Sequence, residues 1–209
     1  VVTIKEHSGT AKYDGSEKTV TGYDTEISNP LYTTDDFHFT GDATITGTDA
    51  GSYDMELVPE NFENISNNFS NVEFVIEDGT LTISKREVTL TSATDSKMYN
   101  GIPLTNHNVT ISGDGFVDGE GATYTVTGSQ LDVGSSKNTF DYELNDNTKA
   151  KNYEIAKEYG DLTVTAVSTQ IVITANSKTE VYSGQAVTDS GYTYTGKLAE
   201  GDKLEVEVV

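Results

Sequence analysis

Short alternating runs dominate this chain. VTIKE from Val2, VTLTS from Val88 and IVITA from Ile171 place aliphatic or small residues at alternate positions, the period that turns one strand face to a core and the other to water. Across residues 87–167 the pattern predicts strands near Glu87–Thr94, His107–Ser112, Thr123–Gly128, Thr139–Leu144, Tyr153–Lys157 and Asp161–Val167, with a short one near Met98. The turn signals NG, GDG, DGEG and YGD separate them. Only PENFEN (Pro59–Asn64) and NTKAKN (Asn147–Asn152) suit a helical turn, and neither carries a 3.6-residue apolar period. Short strands with frequent turns predict an all-β fold, an immunoglobulin-like antiparallel β-sandwich. The alternative is a β-grasp, which needs a helix of about ten residues or more across its sheet.

The alternation recurs. TAKYDG, SKMYNG and KTEVYSG end at Gly15, Gly101 and Gly184, and their tyrosines, Tyr13, Tyr99 and Tyr182, are spaced by 86 and 83 residues. TITGTDAG (Thr44–Gly51) matches TVTGSQLDVG (Thr125–Gly134), and SNVEFVIEDGTLTIS (Ser70–Ser84) matches KNYEIAKEYGDLTVT (Lys151–Thr165). SGDGFVDGE (Ser112–Glu120) matches TGKLAEGD (Thr195–Asp202) with one residue deleted. These matches predict β repeats at 1–86 and 87–167 and a partial repeat at 168–209, which lacks the counterparts of Asn138–Val167. The junctions GTLTISKREVTLTS and GDLTVTAVSTQIVITA contain no Gly or Pro after their first residue, so the repeats are expected end to end with restricted bending. Asp, Asn or Ser before Gly suits a turn with positive φ. A Tyr at fixed offset from it predicts a ring packed on the domain edge.

The Tyr-Asp-Gly-like block, the segment VTGSQLDVGSSKNTFDYEL and the closing NYEIAKEYGDLTVT resemble the tandem extracellular repeats of Gram-positive surface adhesins, the families named for their Tyr-Asp-Gly motif and the related MBG domains. The resemblance implies a secreted or cell-wall-attached bacterial protein with these modules as stalk or adhesive units. It implies no catalytic residues. The third copy departs from it, with Tyr-Ser-Gly at Tyr182–Gly184.

Charge narrows the partners. The 34 Asp and Glu against 13 Lys and Arg give a formal net charge of -21, which repels phosphate backbones and anionic membranes. The absence of cysteine removes disulfides and thiolate chemistry, and no apolar run approaches a membrane span. No signal peptide opens the chain, and both ends read as fragment boundaries. A monomer with neighbouring repeats of the same chain as its contacts is expected.

Candidate chemistry is sparse. His7, His38 and His107 have no metal-ligand or triad spacing. The pairs Asp118 with Glu120 and Asp35 with Asp36 read as solvated turns rather than a glycosidase pair. DGFVDGEG offers calcium the hard oxygens of Asp114, Asp118 and Glu120, with a solvated turn as the competing reading and no other cofactor implied. Lys97, Asn152 and Glu154 are nominal candidates for a Lys–Asn isopeptide crosslink. No enzyme activity is expected. The expected function is an elongated stalk presenting a distal adhesive or enzymatic domain at the bacterial surface. The alternative is adhesive modules binding host glycoprotein, mucin or polysaccharide through exposed aromatics such as Tyr23, Tyr32 and Tyr192.

Overall fold

The computed structural model describes residues 1–208. The first stretch of chain forms strands β1 (Val2–Glu6), β2 (Gly9–Lys12), β3 (Lys18–Thr21), β4 (Tyr23–Ile27), β5 (Phe37–Phe39), β6 (Thr44–Gly47), β7 (Gly51–Asp54), β8 (Phe62–Asn64), β9 (Phe74–Glu77) and β10 (Thr80–Ser84). The second forms β11 (Arg86–Ser92), β12 (Asp95–Met98), β13 (Val109–Gly113), β14 (Ala122–Val126), β15 (Gly134–Lys137), β16 (Phe140–Leu144), β17 (Tyr153–Glu158) and β18 (Asp161–Thr165). β19 (Val172–Ala175) and β20 (Tyr192–Thr195) follow. Among the described residues the only helical pieces are single 3-10 turns at Thr34–Asp36, Pro59–Asn61 and Ala150–Asn152. The fold is all-β, and no helix crosses a sheet as a β-grasp would require.

The residues cluster into two compact units. One comprises Val1–Thr89, Ile111–Thr123 and Glu143–Ala156; the other comprises Leu90–Thr110, Tyr124–Tyr142 and Lys157–Val209. The division runs through the strands of residues 86–165.

In the first unit the sheets are mixed rather than purely antiparallel. β1 pairs antiparallel with β4 and parallel with β9, Val2 opposite Phe74 through Lys5 opposite Glu77. β2 pairs parallel with β10, Leu81 opposite Gly9 through Ser84 opposite Lys12, and β10 pairs antiparallel with β7. Parallel neighbours need a long crossover, and the whole run from β3 to β8 supplies it. The alternation then works as the sequence implies. Val2, Ile4, Leu81 and Ile83 point inward and are buried, beside an aromatic cluster in which Phe62 lies 5.3 Å from Tyr23, 5.9 Å from Phe37 and 5.6 Å from Phe74 between ring centroids.

Both members of this parallel pair change sheets at the same level, and a buried carboxylate holds the step. Glu6 accepts from the backbone N–H of Leu57 at 2.9 Å and of Gly79 at 2.7 Å, which satisfies donors that the interrupted ladder leaves free. A Cβ on Gly79 would stand 2.3 Å from the His7 carbonyl oxygen, so the step requires glycine there.

The same design recurs downstream. β13, β11 and β17 form one sheet in that order. In the second unit β12 pairs parallel with β18, which pairs antiparallel with β15. At the step, the buried Ser92 hydroxyl donates to the Asn138 carbonyl at 2.5 Å and accepts from Gly160 N–H at 3.1 Å, and a Cβ on Gly160 would stand 2.5 Å from Ala93. β15 is absent from the sequence reading because Gly134–Lys137 carries no apolar residue. Only its place beside β18 makes it a strand.

Candidate functional site

The corners that carry the Tyr-x-Gly blocks share one backbone. Gly15, Gly101 and Gly184 have φ of 80°, 79° and 78°, a region open to Gly at no steric cost. Tyr13 N–H donates to the Ser84 carbonyl at 2.9 Å and Tyr99 N–H to the Thr165 carbonyl at 2.8 Å, so each tyrosine extends its strand's parallel ladder by one bond.

The surroundings of the first corner, all within the first unit, are dense. Tyr13 is 4% exposed and packs edge-on against Tyr153, centroids 5.7 Å apart. Its hydroxyl donates to Glu120 Oε1 at 2.5 Å, and the Tyr153 hydroxyl donates to Glu120 Oε2 at 2.6 Å while accepting from Val117 N–H at 3.1 Å. One carboxylate thus bridges two phenols. Burial, then the neighbouring Glu120 carboxylate, pushes both tyrosines up to about 12. Lys12 Nζ donates to both Asp114 oxygens at 2.8 Å, and Asp114 also accepts from Glu87 N–H at 3.0 Å; Lys12, followed by that amide, lowers the Asp114 pKa. Arg86 donates to the carbonyls of Gly115 at 2.8 Å, Tyr13 at 3.3 Å and Asp114. Asp14 accepts from Ser16 and Lys18, and Lys18 is the main reason its carboxyl lies well below the usual range.

A second knot in the same unit gathers residues about a hundred positions apart. Asp49 pairs with Lys149 at 2.9 Å and Lys151 at 2.8 Å and accepts from Asn152 Nδ2 at 2.9 Å, while Asn152 Oδ1 accepts from Ala50 N–H at 2.8 Å. The Asn152 amide first, then the two lysines, holds the Asp49 carboxyl far below its ordinary value. No local pattern announces this knot, because its halves lie in turns without a shared motif.

The second corner, within the second unit, is looser. Tyr99 is half-buried against Leu104, Leu162 and Val164, and its hydroxyl donates to Asp202 Oδ1 at 3.1 Å. That aspartate is the sequence counterpart of Glu120, and both close a turn by a backbone bond, Glu120 N–H to Val117 O and Asp202 N–H to Ala199 O. A Cβ on Gly101 would stand 2.1 Å from the Glu200 carbonyl oxygen. A cleft beside the corner is lined by Tyr99, Asn100, Ile102, Lys197, Leu198 and Glu200, among others. The third corner is bare, with Tyr182 94% exposed.

Two carboxylates of the acidic loop already have protein partners. Asp114 and Glu120 are engaged by Lys12 and by the two tyrosines, and among the described residues no group of three His, Cys, Asp or Glu is placed to hold an ion. Asp118 joins neither contact. Lys97 donates to Asn100 Oδ1 at 2.9 Å and to the Ile102 carbonyl, and Asn152 is bound to Asp49. The crosslink candidates therefore have other partners. His7 Nδ1 lies 2.8 Å from the Thr21 carbonyl. That contact, then Asp24, raises its pKa.

None of the three tyrosines expected to be exposed is freely so. Tyr32 is buried, its hydroxyl donating to the Asp36 carbonyl and Asn64 Oδ1, each at 3.0 Å. Tyr23 packs edge-on against Phe39 and Phe62. Tyr192 is half-buried in β20.

No helix among the described residues is long and apolar enough to cross a membrane. Comparison with curated proteins and with solved structures returns no match. Residues 1–85 match the family model described as the MBG domain, which supports an MBG-like assignment for that stretch.

Proposed function

We propose that the chain is a non-catalytic module from the repeat region of a bacterial cell-surface protein, acting outside the cell as an elongated spacer that presents a distal adhesive or enzymatic domain. One observation carries this reading: the passage from β10 to β11 is a single residue, Lys85, braced by Arg86, the Lys12–Asp114 pair and the Tyr13–Glu120–Tyr153 bridge. A connection that short and that heavily bonded restricts bending, as a spacer needs. The MBG match over residues 1–85 agrees with a surface-protein module. Solution scattering tests the reading. A compact chain of this length has a radius of gyration of about 17 Å; the spacer predicts a monomer well above that value, and a value near it rejects the proposal.

An adhesive reading, with host glycoprotein, mucin or polysaccharide as ligand, rests on the cleft beside Tyr99. Screening glycans and mucins against the wild-type chain and Tyr99→Ala separates the two readings, since a spacer binds none of them.

A further inference from the structure

The first two corners differ at one matched pair of positions. At the first, Lys12 Nζ donates to both oxygens of Asp114 at 2.8 Å. At the second, Met98 stands in the place of Lys12 and Lys197 in the place of Asp114. The cation has changed sides, and the group opposite it is a thioether, a weak acceptor. Lys197 is exposed and lines the cleft beside Tyr99. Among the described residues it is in no ion pair. Lys97, next to Met98 in the chain, is engaged by Asn100 Oδ1 and the Ile102 carbonyl. The second corner therefore has a donor in place and lacks only an acceptor.

Met98 can become that acceptor. It is 62% exposed, whereas the other methionine, Met55, is 6% exposed. The openness belongs to the position itself. In the first corner, which Arg86 and Tyr153 close, the Lys12 side chain is still 51% exposed. Peroxides convert an accessible methionine to its sulfoxide. The thioether sulfur attacks one oxygen of hydrogen peroxide, and the sulfur–oxygen bond forms as the oxygen–oxygen bond breaks. Sulfur loses two electrons, and the leaving hydroxide takes the proton of the transferred oxygen and departs as water. The product carries a polar S=O oxygen where an apolar sulfur was. A methionine sulfoxide is slightly longer than an aspartate, so with a lysine opposite it spans the same gap with the roles exchanged. The shared backbone sets that gap: Gly15 and Gly101 have φ of 80° and 79°, and the Tyr13 and Tyr99 hydroxyls reach the matched residues Glu120 and Asp202.

We propose that Met98 is an oxidation site whose sulfoxide oxygen accepts from Lys197 Nζ, so that peroxide supplies the second corner with the link it lacks. The inference does not depend on the spacer reading.

The test exposes the full chain to dilute hydrogen peroxide and maps the product by peptide mass spectrometry. Expected is sulfoxide at Met98 with Met55 unreacted. Hydrogen exchange then reads the corner. The amides of Tyr99, Glu200 and Asp202 bond the carbonyls of Thr165, Asn100 and Ala199. They should exchange ~3–10-fold more slowly after oxidation, and return to the starting rate when a methionine sulfoxide reductase removes the oxygen. Lys197→Met should oxidise equally and show no slowing. Met98→Lys with Lys197→Asp installs the first corner's pair and should show the slowing without peroxide. Both positions are exposed, so these substitutions should leave the fold intact. Oxidation of Met55 ahead of Met98 overturns the proposal. So does an oxidised corner that exchanges as fast as the reduced one, slowing that persists in Lys197→Met, or a double variant without slowing.

Discussion

The first and second corners begin from nearly the same words, AKYDG and KMYNG, and reach different degrees of order. Their glycine φ values differ by one degree and their tyrosine N–H groups bond equivalent carbonyls. Around the first, Lys12 meets Asp114, Arg86 caps three carbonyls and Tyr153 shares Glu120 with Tyr13. Around the second, Met98 stands where Lys12 does and Lys197 where Asp114 does, so the ion pair has no counterpart. Tyr99 has a single hydroxyl bond, and the connecting residues Ala166–Gln170 include no arginine. The motif specifies a backbone corner. Residues about a hundred positions away specify how firmly that corner is packed.

The largest test of this difference is truncation of the two tyrosines. Tyr13→Ala removes a buried ring and its bridge, and should cost ~3–4 kcal/mol, read as a fall in melting temperature. Tyr99→Ala should produce a clearly smaller fall, and equal falls would erase the distinction between the corners. Next, Glu120→Ala leaves two phenols unpaired and should cost ~2–3 kcal/mol, whereas Asp202→Ala should move the melting temperature little.

Alkali probes the same bridge without mutation. Tyr13 and Tyr153 titrate at about 12 in the folded chain against 10.0 for an ordinary tyrosine. Folding therefore favours the neutral phenols. Their contribution is complete below pH 10 and is lost as pH rises toward 12. Melting curves across that window should show the loss in wild type and a flatter profile in Tyr13→Phe/Tyr153→Phe. Arg86→Val, which removes the capping side chain, should cost ~1–2 kcal/mol. The smallest effect belongs to Lys12→Met, which copies the second corner. An exposed pair of this kind contributes little and is screened by salt, so its shift should shrink further in high salt.

What the sequence made legible follows the range of each interaction. Alternation in VTIKE and VTLTS located β1 and β11, and the turn residues located the corners, because strand period and positive φ are local properties. The parallel pairing of β1 with β9 was not legible. It joins residues some seventy positions apart, and an alternating strand reads the same beside a parallel or an antiparallel neighbour. The partners of the acidic loop were not legible for a related reason. Asp114, Asp118 and Glu120 look like hard ligands when only their own loop is visible, but the partners of Asp114 and Glu120 are Lys12, Tyr13 and Tyr153. Tyr32 was misread because nothing local distinguishes an aromatic on the surface from one packed on Phe69, 5.2 Å away.

The parallel pairing also decides how residues 1–85 meet a pulling force. The chain enters at the start of β1 and leaves at the end of β10. Tension on those two points draws β1 and β2 one way and β9 and β10 the other, along the strand direction. The bonds from Val2–Lys5 to Phe74–Glu77 and from Gly9–Lys12 to Leu81–Ser84 are then sheared together rather than unzipped one by one. Between the two ladders, the Glu6 carboxylate fastens Gly79 at the point where both strands change sheets. Rupture therefore requires both ladders and that link to fail in one event, the loading geometry of a mechanical clamp.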